Sequence, residues 1–232
     1  MNNKVFEYSY ALKKEKQKKA FLVFLYVILF FIFANLVLHF FLFPVRQVSA
    51  SMIPDIPENS FVMVSPIVNK VDRGDVVLLK SKTNQNNSKG IAFLDTICRF
   101  FTAQQISFLD DLDFPNKNNQ LRRVIGMPGD VIYMRDYVLY VKPAGEKHFL
   151  TEFEVIDKKY NATFFATPAG WDSSLAVTGS FEEIKLGNDE YFVLGDNRKS
   201  CSDSRLWGCI SKEEIKAKSL FCYFPFNKMK AY

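Results

Sequence analysis

Leu121-Arg-Arg-Val-Ile-Gly-Met-Pro-Gly-Asp130 runs straight into Val131-Ile-Tyr133. Apolar and β-branched residues lead up to Ile125, Pro128-Gly129 interrupts them, and a second β-branched run begins at once. Proline pre-sets the backbone of a turn and glycine supplies the left-handed corner, so this pattern reads as strand, turn, strand. Val138-Leu-Tyr-Val141 continues the meander. Toward the N-terminus, Ser60-Phe-Val-Met-Val64 and Val76-Val-Leu-Leu79 read as strands, with Asp72-Arg-Gly-Asp75 as a turn before the second. Toward the C-terminus, Tyr191-Phe-Val-Leu194 is a further strand. Strands outnumber helices, so the body is expected to be mostly β, built as an antiparallel sheet.

Two stretches interrupt that pattern. Residues 81–90 and 113–120 are polar and loop-like, but Ile91, Leu94, Ile97 or Cys98, and Phe101 fall at helical spacing. Residues 81–120 are therefore expected to form an insertion with a short amphipathic helix over 91–110. Residues 142–188 form a variable β region broken by Pro143-Ala-Gly145 and Pro168-Ala-Gly170.

Ala20 to Phe43 contains no Asp, Glu, Lys or Arg. At about 1.5 Å rise per residue such a run spans the roughly 30 Å hydrocarbon core of a bilayer. It exceeds the apolar core of a cleaved signal peptide, about 7–15 residues, so a retained signal anchor is expected. Asn35 and His39 lie one helical turn apart within it. They read as tolerated polar groups near the outer interface, or as helix-packing contacts.

The formal net charge is +5, and it is unevenly placed. Residues 1–19 hold six lysines against Glu7 and Glu15, while the remaining 24 basic and 23 acidic residues nearly cancel. Lysine-rich flanks stay in the cytoplasm, which places the body outside the cytoplasmic membrane, single-pass, in contact with its lipid. The expected division is a basic segment 1–19, a transmembrane anchor 20–43 and an extracytoplasmic domain 44–232. A near-neutral body excludes nucleic acid as a main partner.

Cysteines stand at 98, 201, 209 and 222 without a CxxC pair, so no zinc site, and no metal or other cofactor, is expected. Export permits disulfides. A Cys201–Cys209 bond and free thiols are both open.

The chemistry concentrates in Gln47-Val-Ser-Ala-Ser-Met-Ile-Pro-Asp-Ile56, directly after the apolar run. Ser51 can act as a nucleophile, and Ser49 can offer a hydroxyl beside it. Ala50 leaves room for a substrate backbone, and Pro54 fixes the chain that follows. A second loop, from Gly195 to Gly208, carries Asp196, Asn197, Arg198, Asp203 and Arg205 between apolar Leu194 and Trp207. If buried, these charges must pair.

Four blocks now stand in order: Ser49-Ala-Ser-Met-Ile-Pro54, Arg73-Gly-Asp-Val-Val77, Arg123-Val-Ile-Gly-Met-Pro-Gly-Asp130, and Gly195-Asp-Asn-Arg198 followed by Ser202-Asp-Ser-Arg205. Together they resemble type I signal peptidase, a membrane-bound serine protease that removes signal peptides from exported preproteins. The resemblance covers the anchor and most of 44–232. It implies a β-sheet catalytic body and a groove for an extended segment with small residues at the first and third positions before the cut. Strand addition suits such a substrate. The resemblance makes Ser51 the nucleophile and makes Ser49, with the Ser51 backbone N–H, the oxyanion donors. It assigns Arg123, Asp196, Asn197, Asp203 and Arg205 to the supporting loop.

One departure matters most. Where bacterial members of that family carry a lysine general base, this chain has Arg122. A buried lysine loses its charge near neutral pH. Arginine has a pKa above about 12, and a neutral guanidine near pH 7 costs roughly 7 kcal/mol or more. The family's lysine-orienting serine is replaced by Cys201. Three readings follow: a weak peptidase whose Ser51 relies on the oxyanion hole and the Arg122 charge; one in which another base, with Lys199 nearest in sequence, takes the proton; or a non-catalytic relative that binds signal peptides or an active peptidase. The first is the leading expectation.

Overall fold

The computed structural model describes residues 3–80, 120–164 and 179–232. The expected helix over 91–110 lies outside them. Two units are present, an N-terminal helix and a body from Phe41 to Tyr232.

Helix α1 runs from Asn3 to Phe40. Its segment Lys13–Val37 contains an 18-residue window of mean hydropathy 2.8 and is long and apolar enough to cross a membrane. Its apolar side chains are largely exposed, with Phe30 at 72% and Tyr26 at 68%. An apolar surface on all sides suits lipid rather than water. Asn35 donates from Nδ2 to the Phe31 carbonyl at 3.0 Å, so its amide partly satisfies itself on its own helix.

The body is antiparallel β, as its alternating apolar runs require. In chain order the first strands are β1 (Phe43–Gln47), β2 (Ser60–Ser65), β3 (Val76–Leu79) and β4 (Gln120–Gly126). β5 (Val131–Arg135), β6 (Val138–Lys142), β7 (Leu150–Thr151) and β8 (Phe181–Lys185) follow. The last are β9 (Glu190–Leu194), β10 (Ile210–Ser211), β11 (Ile215–Phe224) and β12 (Lys230–Ala231). Two short helices, α2 (Glu152–Val155) and α3 (Ser204–Trp207), interrupt them. The larger sheet has the order β1-β2-β11-β3-β4-β9-β10, with β12 on β11, and the smaller has the order β7-β6-β5-β8.

Met127 to Asp130 form the expected turn, with Gly129 at φ +84° and the Asp130 N–H donating to the Met127 carbonyl at 3.1 Å. The turn passes the chain from the larger sheet to the smaller. Each face of the larger sheet has its own core. Val45, Met52, Val62, Val76, Leu78 and Leu121 pack on one face. Val77, Val124, Val193 and Ile215 pack on the other. Successive strand residues point to opposite faces, and cross-strand partners share one. Arg122 opposite Val77 and Arg123 opposite Val76 therefore project from opposite sides of β4.

Candidate active site

Ser51 lies in a single helical turn, Ala50–Met52, between β1 and β2. Met52 is fully buried in the core beside Val45 and Val62, which anchors the turn from below. A cis Ile53–Pro54 bond follows. In a flat sheet β1 and β4 would stand about 19 Å apart, at about 4.8 Å per strand step. Yet Arg122 Nη1 lies 3.1 Å from Ser51 Oγ, so the sheet curls until the β1–β2 connection faces β4.

Three groups meet Ser51 Oγ: Ser49 Oγ at 2.9 Å, Gln47 Nε2 at 3.1 Å and Arg122 Nη1 at 3.1 Å. Gln47 Nε2 also donates to the Ser49 carbonyl at 2.8 Å, which can only accept, and that fixes which end of the amide faces Ser51. Gln47 Nε2 lies 3.0 Å from Ser49 Oγ as well, so its second N–H is shared between the two hydroxyls, and the Ser49–Ser51 hydrogen bond can run in either direction. Ser49 is exposed and lines the cleft.

The Arg122 guanidinium is buried, and all five of its N–H groups are used. Nε and Nη2 donate to the Ser202 carbonyl at 2.8 and 2.6 Å, and Nη2 also reaches Gln120 Oε1 at 3.2 Å. Nη1 divides between the Leu121 carbonyl at 2.6 Å and Ser51 Oγ. Among the described residues every acceptor is a neutral oxygen. With Gln47, Ser49, Ser51, Cys201 and Ser202, Arg122 lines a cleft of about 280 Å³.

Cys201 brings its thiol to the same cleft. Among the described residues it makes no hydrogen bond to Arg122, its Sγ lying 3.6 Å from the Ser202 carbonyl. Burial pushes this thiol up to about 12, against the pull of the Arg122 charge, so it stays protonated at neutral pH. Cys201 is a free thiol, as are Cys209 and Cys222.

Gly195 is where Cys201 and the Ser51 turn converge. A Cβ there would collide with Cys201 Sγ and stand 2.7 Å from the Ser51 carbonyl oxygen. That carbonyl accepts from the Asn197 N–H at 3.0 Å, and Asn197 Nδ2 donates to the Ala50 carbonyl at 3.0 Å. The substitution Gly195→Ala must therefore push the Ser51 turn. Misplacements near 1 Å cost about 10²-fold in rate, and overpacking costs about 1–3 kcal/mol in stability. Cleavage kinetics and a thermal melt check this, and unchanged kinetics would contradict it.

The remaining loop residues form buried pairs behind the cleft. Arg123 clamps Asp196 at 2.8 and 2.7 Å, reaches Asp55 at 3.0 Å and lies 4.4 Å from the centre of the Tyr160 ring. Burial pushes the Asp196 carboxyl up, and the Arg123 charge pulls against it. Asp203 accepts from Arg205 Nε at 2.8 Å and from the Gly195 N–H at 3.1 Å. Arg198 forms a second clamp on Glu152, at 2.9 and 2.6 Å, with both side chains fully buried. Ser49, Ser51, Arg122 and Cys201 thus share one cleft wall, Asn197 pins the turn, and Arg123, Asp196, Asp203 and Arg205 brace the loop. Lys199 is exposed and is not among the residues lining the cleft.

Sequence reasoning gave no role in this assembly to Gln47, Asp55 or Glu152, and it named Arg198 as a charge that must pair without finding its partner. Gln47 left one usable trace. It is a polar residue two positions after buried Val45, on the inward face of a strand.

A family model described as "Signal peptidase, peptidase S26" matches residues 19–224. Signal peptidase I T of Bacillus subtilis (strain 168) is 25% identical over 210 residues, covering 88% of this chain and 85% of that protein. Signal peptidase I S of the same strain is 28% identical over 210 residues, covering 88% and 89%. A signal peptidase I from Bacillus amyloliquefaciens is 30% identical over 140 residues, covering 57% and 69%. A crystal structure of a signal peptidase I from Enterococcus faecalis V583 aligns with 64% of this chain and 96% of its own, at 20% identity and a TM-score of 0.31.

Proposed function

Because the chain belongs to the signal peptidase family, peptidase S26, we propose that it removes signal peptides from exported preproteins with Ser51 as the attacking group. The observation that carries this reading is the convergence of two N–H donors and one hydroxyl on Ser51 Oγ at the wall of an open cleft.

The arrangement suits an alkoxide. Arg122 cannot take the proton, since arginine stays charged, but its cation stabilises negative charge on Ser51 Oγ. The Ser51 proton passes to Ser49 Oγ as Ser49 releases its own to water or hydroxide in the cleft. Ser49 then donates back to the alkoxide alongside Gln47 and Arg122. When Ser51 Oγ attacks the scissile carbonyl, the Ser49 hydroxyl and the Ser51 backbone N–H are the groups that meet the developing oxyanion. Collapse expels the amine, which takes a proton from water, and a second water hydrolyses the ester. Without an amine base the enzyme forgoes general-base assistance worth about 10²–10⁴ in rate. Cys201, Arg123, Asp196, Asn197, Asp203 and Arg205 act as positioning residues.

The anchor reading places α1 across the cytoplasmic membrane, its lysine-rich end inside and the body outside, where exported chains emerge. Lipid is then a constant partner, and another peptidase subunit is a further candidate. The test is cleavage of a preprotein by the detergent-purified full chain, with the new N-terminus identified by mass spectrometry. The expected cut follows a small-x-small segment. A cut elsewhere, or none, contradicts the proposal.

A further inference from the structure

We infer that the cleft also binds a free α-carboxylate, that of the signal peptide which the reaction releases, so that Arg122 makes this enzyme retain its product. The inference rests on the reading of Ser51 as the attacking group. Burying a cation is costly unless an anion offsets it. Arg122 is 4% exposed, and among the described residues its five N–H groups all end on neutral oxygens. It is the one charged residue among the described residues lining the cleft, so the wall has no acid to repel an anion.

The product supplies the missing charge at the right place. Hydrolysis breaks the bond between Ser51 Oγ and the acyl carbon. Water provides the second carboxylate oxygen, one of its protons returns to Ser51, and the other leaves to solvent. The carboxylate is therefore formed within contact distance of Ser51 Oγ. Arg122 Nη1 lies 3.1 Å from that oxygen, and Ser49 Oγ lies 2.9 Å from it. A guanidinium with a hydroxyl beside it is a carboxylate receptor, and charge-assisted bonds of this kind are roughly twice as strong as neutral ones. The intact substrate carries a neutral amide at this point, so the cation favours product over substrate.

The experiment uses the full chain in detergent and a labelled apolar peptide ending Ala-Gln-Ala, once as the free acid and once as the carboxamide. Binding is read by fluorescence anisotropy. The acid is expected to bind the wild type roughly tenfold or more tightly than the amide, and Arg122→Gln is expected to shrink that ratio to about twofold or less. Equal binding of acid and amide by the wild type, which needs no variant to fold, overturns the inference and leaves the peptidase reading standing. A ratio unchanged in Arg122→Gln overturns it as well. Failure of both peptides to bind overturns it together with the substrate groove on which it rests.

Discussion

Ser51→Ala is expected to lower preprotein cleavage by roughly 10³-fold or more, to background, while leaving the thermal midpoint nearly unchanged. Removing a nucleophile abolishes the covalent route and leaves only the residual effect of oxyanion donors and binding. Nothing nearby replaces it. The Ser49 hydroxyl is adjacent at 2.9 Å, but Arg122 donates to Ser51 Oγ and not, among the described residues, to Ser49. The fold should tolerate the change because the N–H that Arg122 Nη1 gives to Ser51 Oγ is released at the wall of the cleft, where water can accept from it. Gln47 Nε2 keeps the Ser49 carbonyl, and Arg122 Nη1 keeps the Leu121 carbonyl. A donor that opens onto water avoids most of the penalty of about 1–3 kcal/mol for an unsatisfied buried group. Cleavage assays paired with melting curves separate lost chemistry from lost folding. A variant that still cuts at more than a tenth of the wild-type rate would remove Ser51 from the mechanism.

The second large effect runs in the opposite direction. Arg122→Lys combined with Cys201→Ser is expected to raise cleavage near neutral pH by about 10²–10⁴, the usual worth of a positioned general base. The serine matters because the present surroundings suit a permanent cation. Arg122 rests on the carbonyls of Ser202 and Leu121 and on Gln120 Oε1, all acceptors. Acceptors hold an ammonium in its charged form, whereas a hydroxyl can donate to the lone pair of a neutral amine. Cysteine, a weak donor, cannot do this well. The single Arg122→Lys change should therefore capture only part of the gain. If the double variant is no faster than wild type, the arginine is not what limits this enzyme.

The β body was legible because its strands carry dense β-branched runs. Val76–Leu79 matches its reading residue for residue, and Ser60–Val64 extends by one. The candidate site was legible where a local segment suggested it, as with Ser49 and Ser51, whereas Arg122 was singled out by the family resemblance. Parts that depend on distant partners were not. Glu152 sits in the irregular stretch and pairs with Arg198 across 46 residues, a distance that leaves no local pattern. The opposite fates of Arg122 and Arg123 follow from strand alternation once β4 is known to be a strand. The crowding at Gly195 was invisible because it depends on Cys201 and Ser51 folding over the same atom.

The central claim is that Ser51 is activated by a fixed cation and loses its proton to solvent, with no titrating base in the site. The pH dependence of kcat/KM for the wild-type chain, from about pH 6 to about pH 9, tests it most directly. Reaction through a small alkoxide fraction predicts a log-linear rise with a slope near one and no bend. A plateau with a bend near neutral pH is the signature of an ionising general base and would contradict the account, sending attention to an amine such as Lys199.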